Sequence, residues 1–493
     1  MSFLRPGVLV IVCCSRRISS RLCLALLMTT ALAFAAWAEA VGVAATGPLF
    51  VSPAGNDAND CQTLATACRT IGAAIGKASA GDLIIVATGT YTENLTIDKD
   101  LSVIGAGPEA TAINGGGVQR VITVPATIHV SLIDLSVVNG NVQSPDHGGG
   151  ILVVGALTLN RTRVGNNANA GIYVSGTLNA DQSMIVGNER GIWNYGTTVL
   201  SHMIISSNLG SGVANFGAMT LDHALVMSNT NLNFGGGVFQ QQGVMTISES
   251  TILGNVAGGC LSDVRGLLDY WNNASMRLEQ AANRSDACFY SGGGGLYAYS
   301  GSVALSGSTI AGNRAGDEGA GVWNAFAALS LMNDTVSGNA SNQYGGGISN
   351  HQILTLTNVA VSDNSAAWSG GGIYNLSVVR SLNTIVANSF KGGNCYHGII
   401  SLGHNLSSDG SCALNATGDL TNTDPLLGPL QDNGGPTPTQ ALLPGSPAIN
   451  AGDNDGCPAA DQRGIPRPQA GICDIGAYEY VFPLKFFLPL VAR

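Results

Sequence analysis

The sequence predicts an all-β solenoid, a single-stranded parallel β-helix of about twelve coils. Three observations predict it. A glycine followed by a branched apolar residue recurs every 20–26 residues, with one step of 58. Each copy contains short apolar–polar alternations, which place every second side chain inside, and lacks the 3.6-residue period of a helix. Glycine makes up 67 of the 493 residues and charged residues only 11%, which fits a turn-rich chain around one long apolar core.

Nine copies of the repeat align on their glycine–apolar pairs, which begin at Gly150, Gly171, Gly191, Gly212, Gly237, Gly295, Gly321, Gly347 and Gly372. An asparagine closes each copy, at Asn166, Asn188, Asn208, Asn229, Asn255, Asn313, Asn339, Asn364 and Asn388. Stacked at one corner, each amide can bond the amide of the next coil, which predicts a structural asparagine ladder without catalytic function. The alternative is that asparagine merely tolerates left-handed turns.

Apolar segments upstream of the nine copies indicate earlier coils with a looser register, at residues 83–86, 95–97, 101–104 and 121–124. Before them, residues 69–80 predict a short helix. Solenoids need their open apolar ends covered, so we expect this helix to form an N-terminal cap.

The first forty residues predict a secretory signal peptide. Arginines precede an apolar run at residues 22–36, which is followed by small-residue processing sites ending at Ala38 and Ala40. The run is shorter than the roughly 20 residues that span a bilayer, so no transmembrane span is expected in the mature chain; the alternative is an uncleaved anchor. Cutting after Ala38 changes the net charge from −10 to −14, which argues against nucleic acid as a partner. We expect a secreted monomer.

Eight cysteines follow the leader in four sequence-local couples: Cys61 with Cys68, Cys260 with Cys288, Cys395 with Cys412, and Cys457 with Cys473. None has the Cys-x-x-Cys spacing of a zinc site, and an even number in an exported chain favours disulfides. Because eight cysteines allow 105 connectivities, the pairing of neighbours is a hypothesis.

Several motifs resemble known families. Residues 81–91 with 95–97 resemble the first coils of right-handed β-helix proteins of the pectin-lyase-like superfamily. The Gly-Gly-Gly-Ile and closing-asparagine pattern is similar to the repeat of polymorphic outer-membrane proteins, which act as surface adhesins. Residues 432–437, 461–464 and 474–479 resemble the choice-of-anchor Q region of exported bacterial β-helix proteins. The resemblance implies a right-handed helix and a secreted or cell-surface location.

These observations predict four regions: a signal peptide (1–40), the β-helix (41–394), a choice-of-anchor Q-like region (395–480) and a tail (481–493). The tail is too short to span a bilayer and is either a sorting tag or a final strand. An insert at 259–290 has helical spacing between two cysteines and predicts a stapled loop, serving in recognition or as a passive lid.

Motifs for catalysis are weak. The Asp-Asp, Gly-His-Gly and Arg-Ile-Lys motifs of galacturonan hydrolases are absent, and Lys391 is the only lysine in the nine copies. Asp317 and Glu318 form the one adjacent carboxylate pair in the coils, and we expect it to be solvated on a corner loop. The sequence therefore predicts no catalytic residue, no metal ligand and no cofactor.

One further pattern points to binding. The residue after each glycine–apolar pair is aromatic in six of nine copies, at Tyr173, Trp193, Phe239, Tyr297, Trp323 and Tyr374. Alternation turns this position outwards, and stacking spaces the rings by about 4.8 Å, comparable to one sugar unit. We hypothesise a strip that binds an extracellular glycan or surface polymer; the alternative is a stack that only stabilises the sheet. The overall prediction is a surface-associated binding or display protein without catalysis, with a polysaccharide lyase or glycoside hydrolase as the alternative.

Overall fold

The structure is a computed structural model that describes residues 47–142, 146–258 and 291–482. It is a parallel β-solenoid, as predicted, built from three long sheets. Sheet 1 contains 14 strands: Leu49–Val51, Leu83–Val86, Leu101–Ile104, His129–Ile133, Ala156–Asn160, Thr177–Asp181, Thr197–Ser201, Ala218–Asp222, Val244–Ser248, Ser302–Ser306, Ala328–Met332, Ile353–Thr357, Val378–Leu382 and Ile400–Ser401.

Sheet 2 contains 12 strands: Leu95–Thr96, Ile122–Val124, Ile151–Val153, Ile172–Val174, Ile192–Asn194, Val213–Asn215, Val238–Gln240, Leu296–Ala298, Val322–Asn324, Ile348–Asn350, Ile373–Asn375 and Cys395–Tyr396. Sheet 3 contains 13: Gly89–Thr92, Thr111–Asn114, Ser136–Val138, Arg163–Gly165, Met184–Val186, Ile204–Ser206, Leu225–Met227, Thr251–Leu253, Thr309–Ala311, Thr335–Ser337, Ala360–Ser362, Ile385–Ala387 and Leu406–Ser407. A short sheet adds Thr230–Asn231, Val256–Ala257, Arg314–Ala315, Ala340–Ser341 and Ser365–Ala366.

Each complete coil passes through sheet 2, sheet 1 and sheet 3 before the chain rises to the next. The parallel register keeps equivalent residues in columns, so that Ile151 lies beside Ile172 and Ile172 beside Ile192. These inward side chains are fully buried and join one continuous apolar core. Strands at residues 395–396, 400–401 and 406–407 extend the three sheets past residue 394, the predicted end of the solenoid.

The helix near the N-terminus spans Ile71–Lys77, shorter than the predicted 69–80. Thr70 begins it, because its hydroxyl accepts a hydrogen bond from the backbone N–H of Ala73. Its apolar face, formed by Ile71, Ala74 and Ile75, is buried in the solenoid core.

An asparagine ladder runs along one corner through Asn167, Asn188, Asn208, Asn229, Asn255, Asn313, Asn339 and Asn364. Each Nδ2 before the last donates to the Oδ1 of the next member at 2.8–3.1 Å. Two predicted members are wrong. Asn166 and Asn388 have φ values of 56° and 55° and occupy the left-handed turn just before the ladder position. Asn167 takes the ladder place in the first copy, and the sheet 3 register puts Ser389 there in the last.

A second, unpredicted amide column lies at the end of the sheet 2 strands. Asn194 donates to Asn215, which donates to Gln240. Further along the axis, Asn324, Asn350 and Asn375 repeat the arrangement, and all six side chains are buried. Two columns of amides therefore satisfy polar groups at the corners of the coil.

After the last coil, the chain folds back along the outer side of sheet 3. Gln462 bonds the hydroxyl of Thr335 at 2.6 Å, and Asn358 donates to the Asp474 carbonyl at 3.2 Å. The four sheet 3 strands from Thr309–Ala311 to Ile385–Ala387 are consequently buried on both sides. This segment contains an antiparallel pair, Leu427–Gln431 with Thr439–Leu442, and a 3-10 turn at Asn454–Gly456.

Buried ion pairs hold the returning segment together. Arg467 contacts Glu479 at 3.1 Å, and Arg463 contacts Asp461 at 2.7 Å. Burial raises the pKa of Asp474, which accepts backbone hydrogen bonds here, to about 6. The Asp-Gln-Arg-Gly and Asp-Ile-Gly-Ala-Tyr-Glu motifs therefore have a structural function.

Three of the four predicted disulfides are present among the described residues. They join Cys61 to Cys68, Cys395 to Cys412, and Cys457 to Cys473. Each links two cysteines that are close in the sequence, as the hypothesis of neighbour pairing requires.

The fourth predicted disulfide, between Cys260 and Cys288, is not among these three. Both Cys260 and Cys288 lie outside the described residues, so their pairing stays a prediction. The insert at 259–290 that they would staple also lies outside the described residues, as do the leader and most of the tail. Within the described ranges, no helix is long and apolar enough to cross a membrane.

Candidate functional site

The outward side of sheet 2 carries a single column of side chains along the solenoid. Strand pairing places in register Thr96, Thr123, Leu152, Tyr173, Trp193, Ala214, Phe239, Tyr297, Trp323, Ser349, Tyr374 and Tyr396. All six aromatic residues singled out in the sequence stand in it. We call this column and the rings around it the aromatic face.

The column lies deeper than the sequence predicts. Tyr297 and Trp323 are only 6% and 5% exposed, and with their neighbours they form an apolar cluster separate from the core. The ring of Phe234 stacks on Tyr297 at 5.0 Å. Trp323 packs over Gly292, where an added Cβ would lie 2.2 Å from its Cε3 atom. Rings and backbone from neighbouring turns thus cover much of the predicted strip.

Exposed rings flank the covered column. Tyr195 stacks on Phe216 with ring centroids 4.3 Å apart, and Tyr299 meets Phe326 edge-on at 5.5 Å. Phe326 is 61% exposed. Solvent-facing aromatic surface therefore accompanies the column, at positions that the sequence analysis did not single out.

A second group of rings lies at the C-terminal end of the face. Tyr344 stacks on Tyr374 at 4.6 Å, and Tyr374 stacks on Tyr396 at 4.9 Å. Trp368 meets Tyr344 edge-on at 5.2 Å and is 62% exposed. We call these four residues the aromatic platform.

Ser349 interrupts the column beside the platform, and a buried carboxylate lies against it. The Ser349 hydroxyl donates to Oε2 of Glu318 at 3.0 Å, and Nε2 of His351 lies 2.8 Å from the same oxygen. The His351 ring lies between Trp323 and Tyr374, at centroid distances of 5.8 and 6.5 Å. A polar cluster thus interrupts the apolar column.

The prediction that Asp317 and Glu318 are solvated is wrong, because both side chains are buried. Burial raises the pKa of Asp317, although the backbone N–H of Ser291 donates to its carboxylate. Burial also raises the pKa of Tyr374, and the charge of Glu318 adds to this effect. Stacking of successive coils encloses both carboxylates.

The cluster suits hydrogen bonding better than nucleophilic catalysis. In a serine–histidine–acid triad, the hydroxyl and the carboxylate bind opposite nitrogens of the imidazole. Here Ser349 and Glu318 both contact Nε2, and Ser349 is fully buried. Within the described part of the chain, no group of three histidine, cysteine or acidic residues could hold a metal ion.

A polar cavity of about 350 Å³ lies at the N-terminal end of the face. Thr96 and Thr123 of the column contribute to its lining, as does Arg120. The Arg120 guanidinium donates to the carbonyls of His147 and Gly148, and burial lowers its pKa. The face therefore changes from aromatic to polar towards this end.

No protein-family model and no curated protein matches the chain. Solved structures to which it is similar include the pectate lyase Pel9A, with 14% identity, 89% of this chain and 97% of that chain covered, and a TM-score of 0.41. A complex of XylC with xylose has 9% identity, coverage of 88% and 98%, and a TM-score of 0.42. The Azotobacter vinelandii mannuronan C-5 epimerase AlgE4 A-module has 12% identity, coverage of 71% and 87%, and a TM-score of 0.33. The likeness concerns the fold alone, and no substrate or reaction follows from it.

Proposed function

We propose that the protein binds an extended glycan along its aromatic face, outside the cell and without catalysis. The observation that carries the proposal is the run of solvent-facing rings beside the column, from Tyr195, which stacks on Phe216, to Tyr299 and Phe326. Exposed apolar patches bordered by polar groups mark interaction sites. Strands about 4.8 Å apart repeat at roughly the length of one sugar unit, so a linear polymer can meet equivalent surfaces coil after coil.

Three disulfides among the described residues support an extracellular location, because disulfides persist in oxidising compartments. The signal-peptide pattern of residues 1–40 and the choice-of-anchor Q-like motifs support the same location and attachment at the cell surface. The predicted solenoid 41–394, together with the strands at 395–407 that extend it, then acts as the binding region, the rest of 395–480 as the attachment region and 481–493 as the sorting tail.

A fourth disulfide between Cys260 and Cys288 belongs to this proposal, since every other cysteine after the leader is paired with its neighbour. Titration of thiols in the denatured, unreduced mature protein should then find none free. Free thiols that map to Cys260 and Cys288 would contradict this pairing.

The test of binding replaces exposed rings, because truncating the buried Trp323 would also disturb packing. In the double variant Tyr299→Ala/Phe326→Ala, we expect at least tenfold weaker retention in affinity electrophoresis through gels containing xylan, glucomannan or hydroxyethyl cellulose. Val199→Ala is the matched control, since Val199 is an exposed apolar residue on the outer side of sheet 1. Equal retention of the double variant and the control would contradict the proposal.

The same preparations separate binding from catalysis. The wild-type protein should leave the three polysaccharides intact, without new reducing ends or unsaturated products. Release of either product would favour the alternative, a polysaccharide lyase or glycoside hydrolase with a non-standard site.

A further inference from the structure

The imidazole of His351 is held at one nitrogen and free at the other. Nε2 lies 2.8 Å from Oε2 of Glu318, whereas Nδ1 has no hydrogen-bond partner among the described residues. The Glu318 side chain is only 7% exposed, while that of His351 is 26% exposed. A buried carboxylate paired with Nε2 favours a proton there, which leaves a lone pair on Nδ1.

The packing of the solenoid does not require this carboxylate. Strand bridges align Glu318 with Gly292 and Tyr344, and further along the same row with Phe234 and Ser369. Uncharged residues therefore fill this place in the four other coils of the row. Removing an ionised group from water is unfavourable, and its hydrogen-bond partners must offset this. A buried carboxylate where the four other coils of the row have uncharged residues, paired with a partly exposed imidazole, indicates a role in ligand recognition.

We propose that His351 is the hydrogen-bonding anchor of a subsite for one neutral sugar unit, and that Glu318 is its positioning residue. This inference rests on the proposed glycan-binding function. Nδ1 of His351 accepts a hydrogen bond from a sugar hydroxyl, and the glycan continues over the exposed rings of the aromatic platform, Trp368 and Tyr396. The aromatic platform supplies apolar contact area, while the imidazole fixes the orientation of the sugar.

The charges around the subsite select against uronates. Glu318 carries the carboxylate next to the imidazole, and Asp317 precedes it. Lys391 pairs with Ser365 in the short sheet and not on sheet 2. A polyanionic chain would bring like charges towards a partly desolvated carboxylate, which disfavours its binding.

The test measures the affinity of the full protein for four probes by titration calorimetry: cellohexaose, xylohexaose, mannohexaose and hexagalacturonate. We expect at least one neutral hexasaccharide to bind more tightly than hexagalacturonate. His351→Phe should weaken that binding at least tenfold, since it removes the acceptor and keeps a ring. Phe216 stands at the equivalent place of another coil, so the phenylalanine ring fits there, and Ser349 still donates to the Glu318 carboxylate; a thermal melt checks that the variant is folded. Val199→Ala should bind like the wild type.

The effect of Glu318 is tested separately with ¹⁵N-labelled histidine. In the wild type, we expect NMR to show the proton of His351 on Nε2, and the Nδ1 resonance to shift when the sugar is added. Glu318→Gln keeps the shape but removes the charge, so both tautomers should become populated and affinity should fall severalfold. A merely structural glutamate would leave the nitrogen shifts unchanged and would overturn its positioning role.

The outcomes distinguish this inference from the function on which it rests. Neutral binding that is unchanged in His351→Phe overturns the subsite and leaves glycan binding intact. Tighter binding of hexagalacturonate overturns the neutral specificity alone. Failure of the wild type to bind any of the four probes overturns both proposals.

Discussion

Replacing Asn167 by alanine tests the ladder at the point where sequence and structure differ. The Nδ2 group of Asn167 donates to Asn188 at 3.0 Å and to the Val137 carbonyl at 3.2 Å, and its Oδ1 accepts the Gly140 N–H at 2.8 Å. Alanine would leave the Gly140 donor and the Val137 acceptor without these buried partners. At about 1–3 kcal/mol for each, we expect Asn167→Ala to lower the free energy of unfolding by about 2–6 kcal/mol.

The neighbouring residue supplies the control. Asn166 is exposed and has φ = 56°, a conformation that glycine adopts without strain, and Gly187 stands at the same place in the next copy. We therefore expect Asn166→Gly to change the free energy of unfolding by less than about 1 kcal/mol.

Equilibrium unfolding in urea measures both variants, and amide hydrogen exchange localises the effect. In Asn167→Ala, the Gly140 amide should exchange faster than in the wild type, because its acceptor is gone. Equal stability of the two variants, or an unchanged exchange rate at Gly140, would refute the assignment of Asn167 to the ladder.

Three further predictions concern packing and charge. Gly292→Ala places a Cβ 2.2 Å from the Trp323 ring and should lower the free energy of unfolding by about 1–3 kcal/mol, with altered tryptophan fluorescence; unchanged fluorescence and stability would contradict it. The folded protein binds the Asp474 proton more tightly than the unfolded chain does (pKa about 6 against 3.8), so this group lowers the free energy of unfolding of the wild type as the pH rises. The decrease between pH 4 and 7 should be up to ~3 kcal/mol. In urea titrations at the two pH values, Asp474→Asn should not show this decrease. An equal decrease in the variant and in the wild type would contradict the prediction. Arg467→Met leaves the buried carboxylate of Glu479 without its partner and should lower the free energy of unfolding by about 3–5 kcal/mol. Adding Glu479→Gln should restore part of this stability, and no recovery in the double variant would argue against the pair.

The periodic part of the fold was predictable because every coil buries its inward apolar side chains against the neighbouring coils in the same way. A glycine–apolar pair every 20–26 residues fixes which residues share a column, and that register puts Tyr173 beside Trp193 and Tyr297 beside Trp323. The predicted ladder was wrong at Asn166 and Asn388. In the first copy the adjacent Asn167 occupies the corner, and in the last copy Ser389 does. A slip of one residue exchanges a turn position for a buried one.

Contacts between distant segments were not predictable in this way. Glu318 and His351 are 33 residues apart, and stacking of successive coils makes them neighbours. A usable signal existed in Ser349, a polar residue that breaks the aromatic column where the Glu318 carboxylate lies against it. The covering rings Phe234 and Tyr344 precede the Gly-Gly-Gly turns and so lie outside the column that alternation defines.

The returning C-terminal segment also explains why the outward residues of sheet 3 differ between the coils that it covers and the coils that it leaves uncovered. Where it covers sheet 3, the outward residues are small, such as Thr309, Ala311, Thr335 and Ser337, and they allow close approach and hydrogen bonding to Gln462. On the uncovered coils the equivalent positions carry larger side chains, such as Met184, Ile204 and Leu225. The described part of this segment lies against sheet 3, and the rings of Phe326 and Trp368 beside sheet 2 stay exposed. A polymer lying along the solenoid axis can therefore reach the aromatic face without displacing the segment, which is the geometry that the proposed binding function requires.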